Sequence, residues 1–123
     1  MYELIVNSRF AAAHNLRGYK GACERLHGHN WRVEAVLTAG KLDEIGMVAD
    51  FRDVKKALGE ILDDYDHRYL NELPQFEKAN PTTENIARFI AESLAGKLPD
   101  GVTVRSIAVW ESENCCARYI IPE

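Results

Sequence analysis

Apolar residues recur along the chain with two different periods, and the change of period divides it into elements. In residues 2–13, Tyr2, Leu4, Val6, Phe10 and Ala12 share one parity, the alternation of a half-buried strand. Residues 29–39 repeat the pattern, with Trp31, Val33, Ala35 and Leu37 alternating against Arg32, Glu34 and Thr38. Further on the spacing becomes helical. Phe51, Val54, Leu58, Ile61, Leu62 and Tyr65 form one stripe and predict a helix over about 51–64, with Asp50 placed to cap it. A second helix, capped by Thr82 or Thr83, runs to about residue 97 along Ile86, Phe89, Ile90, Leu94 and Leu98. Glu84 in its first turn complements the helix dipole. Val102–Glu111 and Cys115–Ile121 read as a closing hairpin around Ser112-Glu113-Asn114.

The connections carry the opposite signals. Residues 15–25 hold Gly18 and Gly21 among charges, residues 40–49 turn around Gly40 and Gly46, and Pro99-Asp100-Gly101 is a turn. Residues 66–81 form an irregular connection that ends in Asn80-Pro81. The order is therefore β-β-α-α-β-β. Strands joined locally in pairs predict an antiparallel four-stranded sheet with two helices on one face, an α+β layer in a single domain over 1–123. Such a sheet leaves its other face and its edges in need of a partner.

The chain is 123 residues long, with 46% hydrophobic and 28% charged residues, ordinary for a folded domain and poor for disorder or coiled coil. A net charge of −4 supplies no basic excess for a nucleic-acid backbone. No apolar run approaches a membrane span, and the N-terminus lacks the basic and apolar regions of a signal peptide. Three cysteines, of which Cys115 and Cys116 are adjacent, do not make a disulfide framework and fit a reducing cytoplasm. Cys115 and Cys116 read as small apolar residues of a strand.

Histidine brings in the chemistry. Only His14, His27, His29 and His67 are present, and four in this length would give roughly 0.13 pairs spaced two apart by chance. His27-Gly28-His29 is such a pair, and in extended chain both rings project to one face. His14 ends the first strand, where an antiparallel neighbour can bring it beside them. Three imidazoles with an open position is the pattern of catalytic zinc. Cys23, four residues before His27, is either a fourth ligand in a structural site or a nucleophile or base whose thiol the metal acidifies. Asp66-His67 is a pair in which the carboxylate can orient the imidazole. Glu111, at the end of an apolar strand, can accept two parallel N–H donors from a flat heterocycle.

Five segments, in order, carry a resemblance that covers essentially the whole chain. They are Phe10-Ala-Ala-Ala-His14, Cys23-Glu-Arg-Leu-His27-Gly-His29-Asn30, Asp66-His67-Arg-Tyr-Leu-Asn71, Asn80-Pro-Thr-Thr-Glu84 and Trp110-Glu111. Together they resemble the 6-pyruvoyl-tetrahydropterin synthase/QueD family, and the short Cys-x-x-x-His-Gly-His spacing is similar to its 6-carboxy-tetrahydropterin synthase branch. The resemblance implies the T-fold and an oligomeric barrel, a homotrimer or hexamer with shared active sites. It implies a zinc lyase that turns 7,8-dihydroneopterin triphosphate into 6-carboxy-5,6,7,8-tetrahydropterin, acetaldehyde and triphosphate, on the route to queuosine and other 7-deazaguanines. Sister activities in the family make a 6-pyruvoyl product or cleave the side chain to a hydroxymethyl pterin. By the same resemblance His14, His27 and His29 are the zinc ligands, Cys23 the catalytic base, Asp66 and His67 its partner dyad, and Glu111 the pterin anchor. Ser112 follows Glu111 where the family often has Thr. Arg9, Arg17, Lys20 and Arg25 are candidates for the triphosphate.

Overall fold

A computed structural model describes residues 1–18 and 25–122. Two thirteen-residue strands, β1 (Tyr2–His14) and β2 (His27–Ala39), form its spine. They pair antiparallel without a break, from Tyr2 opposite Ala39 to His14 opposite His27. Helix α1 (Phe51–Asp63) follows, then a two-residue strand β3 (Arg68–Tyr69) and two short 3-10 turns, Leu70–Glu72 and Pro74–Phe76. Helix α2 (Thr83–Ala95) leads to β4 (Thr103–Trp110) and β5 (Cys116–Ile120). The sheet order is β3-β1-β2-β4-β5.

The alternation read from the sequence sets which side is buried. Val6, Phe10 and Ala12 of β1 and Trp31, Val33, Ala35 and Leu37 of β2 all face the helices and are buried. Helix α1 packs on β1, and α2 on β4 and β5. Asp50 caps α1 by accepting from Arg52 N–H, and the side chain of Thr82 rather than Thr83 caps α2 by accepting from Asn85 N–H. Phe51 departs from its expected place in the α1 stripe: at the first turn of the helix it is 51% exposed. In α2 the core includes Ala87 and Ala91 beside Ile86, Ile90 and Leu94. Phe10 stacks on Trp31 at 5.8 Å and meets Tyr65 edge-on at 5.5 Å.

Two irregularities matter for the site. The ladder between β2 and β4 shifts after Val36, which faces Ser106, whereas Leu37 faces Val104, so Arg105 is an extra residue. The shift lets Val104, Ile107 and Val109 all point to the core and puts Glu111, two residues past Val109, on that same face. The sheet also has a fifth strand, not four alone: β3 joins β1 in parallel, with Ala12 opposite Arg68 and Ala13 opposite Tyr69. The cause is local. Asp66 Oδ1 accepts from Ala11 N–H at 2.8 Å, and His67 N–H donates to Ala11 O at 2.6 Å. His67 adopts a positive φ of 56°, which turns the chain onto the edge of β1. A two-residue pairing has no periodicity for a sequence pattern to reveal.

The opposite face of the sheet has no helix over it. It carries ion pairs between Arg118 and Glu34 and between Arg105 and Glu3, and Arg32 lies over the Trp110 ring at 4.4 Å. No helix among the described residues is long and apolar enough to cross a membrane. Leu58, fully buried on α1, anchors that helix to the sheet. Leu58→Ala is expected to cost about 2–5 kcal/mol, read from the urea midpoint, because the rigid sheet beneath it cannot close the cavity.

Candidate metal centre and active site

The core face of the β1–β2 pair does not end in apolar residues. Its last positions are His14 on β1 and His27 and His29 on β2, and they sit above Trp31, whose ring meets His14 at 4.9 Å and His29 at 5.1 Å. Trp31 Nε1 donates to Ala12 O, which fixes this indole floor. One ring nitrogen from each of the three histidines and a carboxylate oxygen of Glu111 lie within 4.8 Å of one another. His14 Nε2 and His27 Nε2 are 3.0 Å apart, and His29 Nε2 is 2.8 Å from Glu111 Oε1.

The far side of two of these rings is already committed. His14 Nδ1 faces the carbonyl of Pro81 at 2.8 Å, and His27 Nδ1 faces that of Arg25 at 2.7 Å. A carbonyl can only accept, so both Nδ1 atoms carry the proton and both Nε2 atoms present lone pairs inward. Two bare lone pairs 3.0 Å apart repel unless a cation lies between them. Zinc bonds of 2.0–2.1 Å at a tetrahedral angle would separate two nitrogens by about 3.3 Å, close to what is already there. His29 Nε2 is also buried and has no hydrogen bond of regular geometry. Three converging imidazoles, two of them held by their outer nitrogens, fit a borderline metal such as zinc. Among the described residues the one addition to the expected ligand trio is Glu111. Its Oε1 faces His29 and its Oε2 accepts from Thr83 Oγ1 at 3.3 Å.

The other predicted site residues lie elsewhere. Asp66 Oδ2 is 2.9 Å from His67 Nδ1, so the dyad forms, but on the outer edge of β1 and with His67 82% exposed. It does not join the cluster within this chain. The hydrogen bond from Ala11 N–H, then that from His67, holds the Asp66 carboxyl below its usual range. Cys23 and Lys20 fall outside the described residues. The Arg17 guanidinium donates through Nη2 to the carbonyls of Phe76 and Ala79. Cys115 precedes β5, and both it and Cys116 are exposed rather than packed as strand residues. Sequence reasoning passed over Pro81, which acts through its carbonyl and so has no side-chain signature. It also passed over Asn15, whose N–H donates to Asn71 Oδ1 at 3.0 Å and whose Oδ1 accepts from the Tyr69 hydroxyl.

Burial pushes the pKa of His14 and of His29 below the ordinary value; the Pro81 carbonyl and Glu111, respectively, oppose the shift only in part. Both are therefore neutral in the folded chain where an unfolded chain, with His near 6.5, begins to bind protons. The sign follows: stability linked to these two rings is complete above about pH 6.5 and is lost as pH falls from there through their lowered folded values. The urea midpoint of metal-free protein is expected to fall across that window, and added zinc is expected to move the fall to lower pH. A midpoint that rises on acidification through the window would contradict the assignment.

With this geometry in hand, likeness to known proteins carries weight. A family model described as 6-pyruvoyl tetrahydropterin synthase matches residues 3–121. A protein of Archaeoglobus fulgidus, provisionally named 6-carboxy-5,6,7,8-tetrahydropterin synthase, is 40% identical over 109 residues, 89% of this chain and 87% of its own. The dihydroneopterin monophosphate aldolase of Pyrococcus furiosus is 36% identical over 112 residues, 91% of each chain. The solved 6-pyruvoyl tetrahydropterin synthase of Caenorhabditis elegans superposes with a TM-score of 0.88 at 26% identity, covering 98% of this chain and 96% of that one. The strand order, the histidine cluster and these matches span the same residues, and the chain belongs to the 6-pyruvoyl tetrahydropterin synthase family.

Proposed function

We propose that this chain is a zinc-dependent lyase. It converts 7,8-dihydroneopterin triphosphate and one water to 6-carboxy-5,6,7,8-tetrahydropterin, acetaldehyde and triphosphate, a cytoplasmic step towards 7-deazaguanines such as queuosine. The observation that carries this reading is the convergence of three imidazole Nε2 atoms at the end of the sheet. It occurs in a chain 40% identical to a relative named for that activity.

Each group then has a task set by its position. His14, His27 and His29 hold the metal, which when bound polarises the hydroxyl oxygens of the substrate's three-carbon side chain. Cleavage separates the first side-chain carbon, retained as the carboxyl group, from the other two, released as acetaldehyde. That requires protons to be removed from and returned to carbon and oxygen. Cys23, four residues before His27 in sequence, is the base this reading assigns, since a cation near a thiol would favour its ionised form. The Asp66–His67 pair serves a second proton position: Asp66 is pinned by the Ala11 N–H and in turn fixes His67 Nδ1, which leaves Nε2 free to exchange a proton. Glu111 anchors the pterin, since a carboxylate accepts two parallel N–H bonds from a flat ring. In that role its present contact with His29 is exchanged for the substrate.

The dyad sits on the outer edge of β1, outside the cluster, which supports an assembly in which one copy completes the site of another. Among the described residues, β1 is unpaired on its outer edge from Tyr2 to Phe10, and β5 is unpaired along its outer edge. Two different open edges on one sheet pair head to tail, and a rotation that closes gives a ring. A trimeric barrel, stacked as a hexamer, is the assembly proposed. Light scattering at working concentration is expected to give three or six times 13.9 kDa. A monomer would overturn the shared site.

A second reading rests on the aldolase relative of equal coverage: cleavage of the same bond, with a hydroxymethyl pterin as product. Incubating metal-loaded protein with dihydroneopterin triphosphate or monophosphate and weighing the products separates the two. Acetaldehyde and a carboxypterin are expected; a hydroxymethyl product favours the second reading, and a pyruvoyl product retaining all three carbons rejects both. In the same assay Cys23→Ala is expected to keep one zinc per chain while turnover falls by about 10²-fold or more. His27→Ala is expected to lose the zinc, and Glu111→Ala to keep it and bind pterin more weakly. Loss of zinc from Cys23→Ala would instead make Cys23 a fourth ligand.

A further inference from the structure

We propose that Asn80 is a positioning residue for the metal centre, acting through Arg17 and, by way of Pro81, through His14. The proposal rests on the reading of the histidine trio as a metal site and goes beyond it, because Asn80 is not one of the clustered residues.

The segment Asn80–Thr83 reaches several parts of the site at once. The Asn80 side chain accepts from Arg17 N–H at 2.9 Å and donates to Arg17 O at 2.8 Å. The next residue, Pro81, gives its carbonyl to His14 Nδ1. Thr82 caps α2, and Thr83 donates to Glu111. The segment is held from the helix side as well, by Asn85 Nδ2 donating to Asn80 O at 2.9 Å. One short stretch therefore fixes a metal ligand, the neighbouring carboxylate and the outgoing chain.

The form of the Asn80 contact explains why the residue is an asparagine. A carboxamide offers one acceptor and one donor side by side, as a peptide edge does, and its reciprocal pair with Arg17 stands in for a β bridge. Asn71 does the same one step earlier, accepting from Asn15 N–H at 3.0 Å and donating to Asn15 O at 2.9 Å. Residues 15 and 17 have the parity of Ala11, whose N–H and C=O are taken by Asp66 and His67 on the same edge. The two side chains thus continue the paired edge of β1 beyond its last residue, His14. Without them His14 would stand at a strand end, where chains fray. With them the chain stays tied through Arg17, where a turn begins, three residues past His14. Aspartate has the same shape but lacks the donor, and would set a carboxylate oxygen against Arg17 O.

Cobalt(II) reports on the ligands without turnover. Parent protein, Asn80→Ala and Asn80→Asp are titrated with cobalt and assayed for kcat and KM, alongside Val54→Ala, a core change in α1 that serves as a control for lost stability. Both Asn80 variants are expected to bind cobalt about 10-fold or more weakly, with a shifted visible band, and to lose kcat more than KM. Val54→Ala is expected to lower the melting temperature while leaving the cobalt band and affinity at the parent values. The proposal is overturned if folded Asn80→Asp binds cobalt within twofold of the parent with an unshifted band, since shape alone would then suffice. It is equally overturned if Val54→Ala reproduces the cobalt change. A parent protein that binds no cobalt is a separate result, which defeats the metal reading itself.

Discussion

The antiparallel pairing of β1 with β2 is the constraint on which the site depends. Its register sets His14 opposite His27 and Ala12 opposite His29, so one strand contributes one imidazole and the other contributes two, all on the core face. A slip of one residue would carry Phe10 and Ala12, or Trp31, Val33 and Ala35, to the wrong side of the sheet. It would also separate His14 from its partners. The apolar alternation that drives folding therefore also selects the ligand geometry. The thirteen-residue length of both strands makes that selection firm, because every core pair along the ladder opposes the slip.

The site imposes a cost on the fold that the apolar strand does not. Burying imidazoles on top of an indole removes them from water, and burial lowers the pKa of His14 and His29 for that reason. Neutral rings relieve the charge but leave inward lone pairs without partners. The structure tolerates this because each compensating contact lies on the outer side of a ring, at Pro81 and Arg25, where it orients without satisfying the inward atom. The arrangement has less stability than an apolar strand end would have, and a cation is what recovers it. Glu111 contributes to the same balance. Its carboxylate, with Oε1 at His29 and Oε2 accepting from Thr83, raises the proton affinity that burial lowers at His29.

Much of this was legible in the chain, and the parts that were not have a common cause. Alternation is a property of side chains, so the faces of β1 and β2, the stripes of both helices and the same-face placement of His27 and His29 could be read directly. The cap at Asp50 was legible from residue type, and that of α2 to within the pair Thr82 and Thr83. Hidden features were made by backbone groups or by distance along the chain. The Pro81 carbonyl, the β3 pairing at Arg68–Tyr69 and the bulge at Arg105 leave no pattern in residue type. Phe51 misled because an apolar residue at the first position of a helix fits the stripe yet stays exposed. Cys115 and Cys116 misled because small apolar character says nothing of which side of a turn a residue occupies. The ties of Asn15 to Asn71 and of Arg17 to Asn80 join residues 56 and 63 positions apart, and neither partner suggests the other.

Size brings these strands of argument together. A chain of 123 residues commits both helices to one face of its sheet, and its core closes there. The chemistry-bearing residues are then pushed to where the core ends: the histidines and Glu111 to the end of the sheet, and Asp66–His67 to the edge of β1. The His67 imidazole is exposed and, among the described residues, held only by Asp66, and its positive φ is strained for a side-chain-bearing residue. It acquires a purpose if the edge that it decorates meets another copy. In the assembly proposed, open strand edges and a dyad remote from its own cluster would have one cause: neighbours would supply the wall that a core this small has no residues left to build.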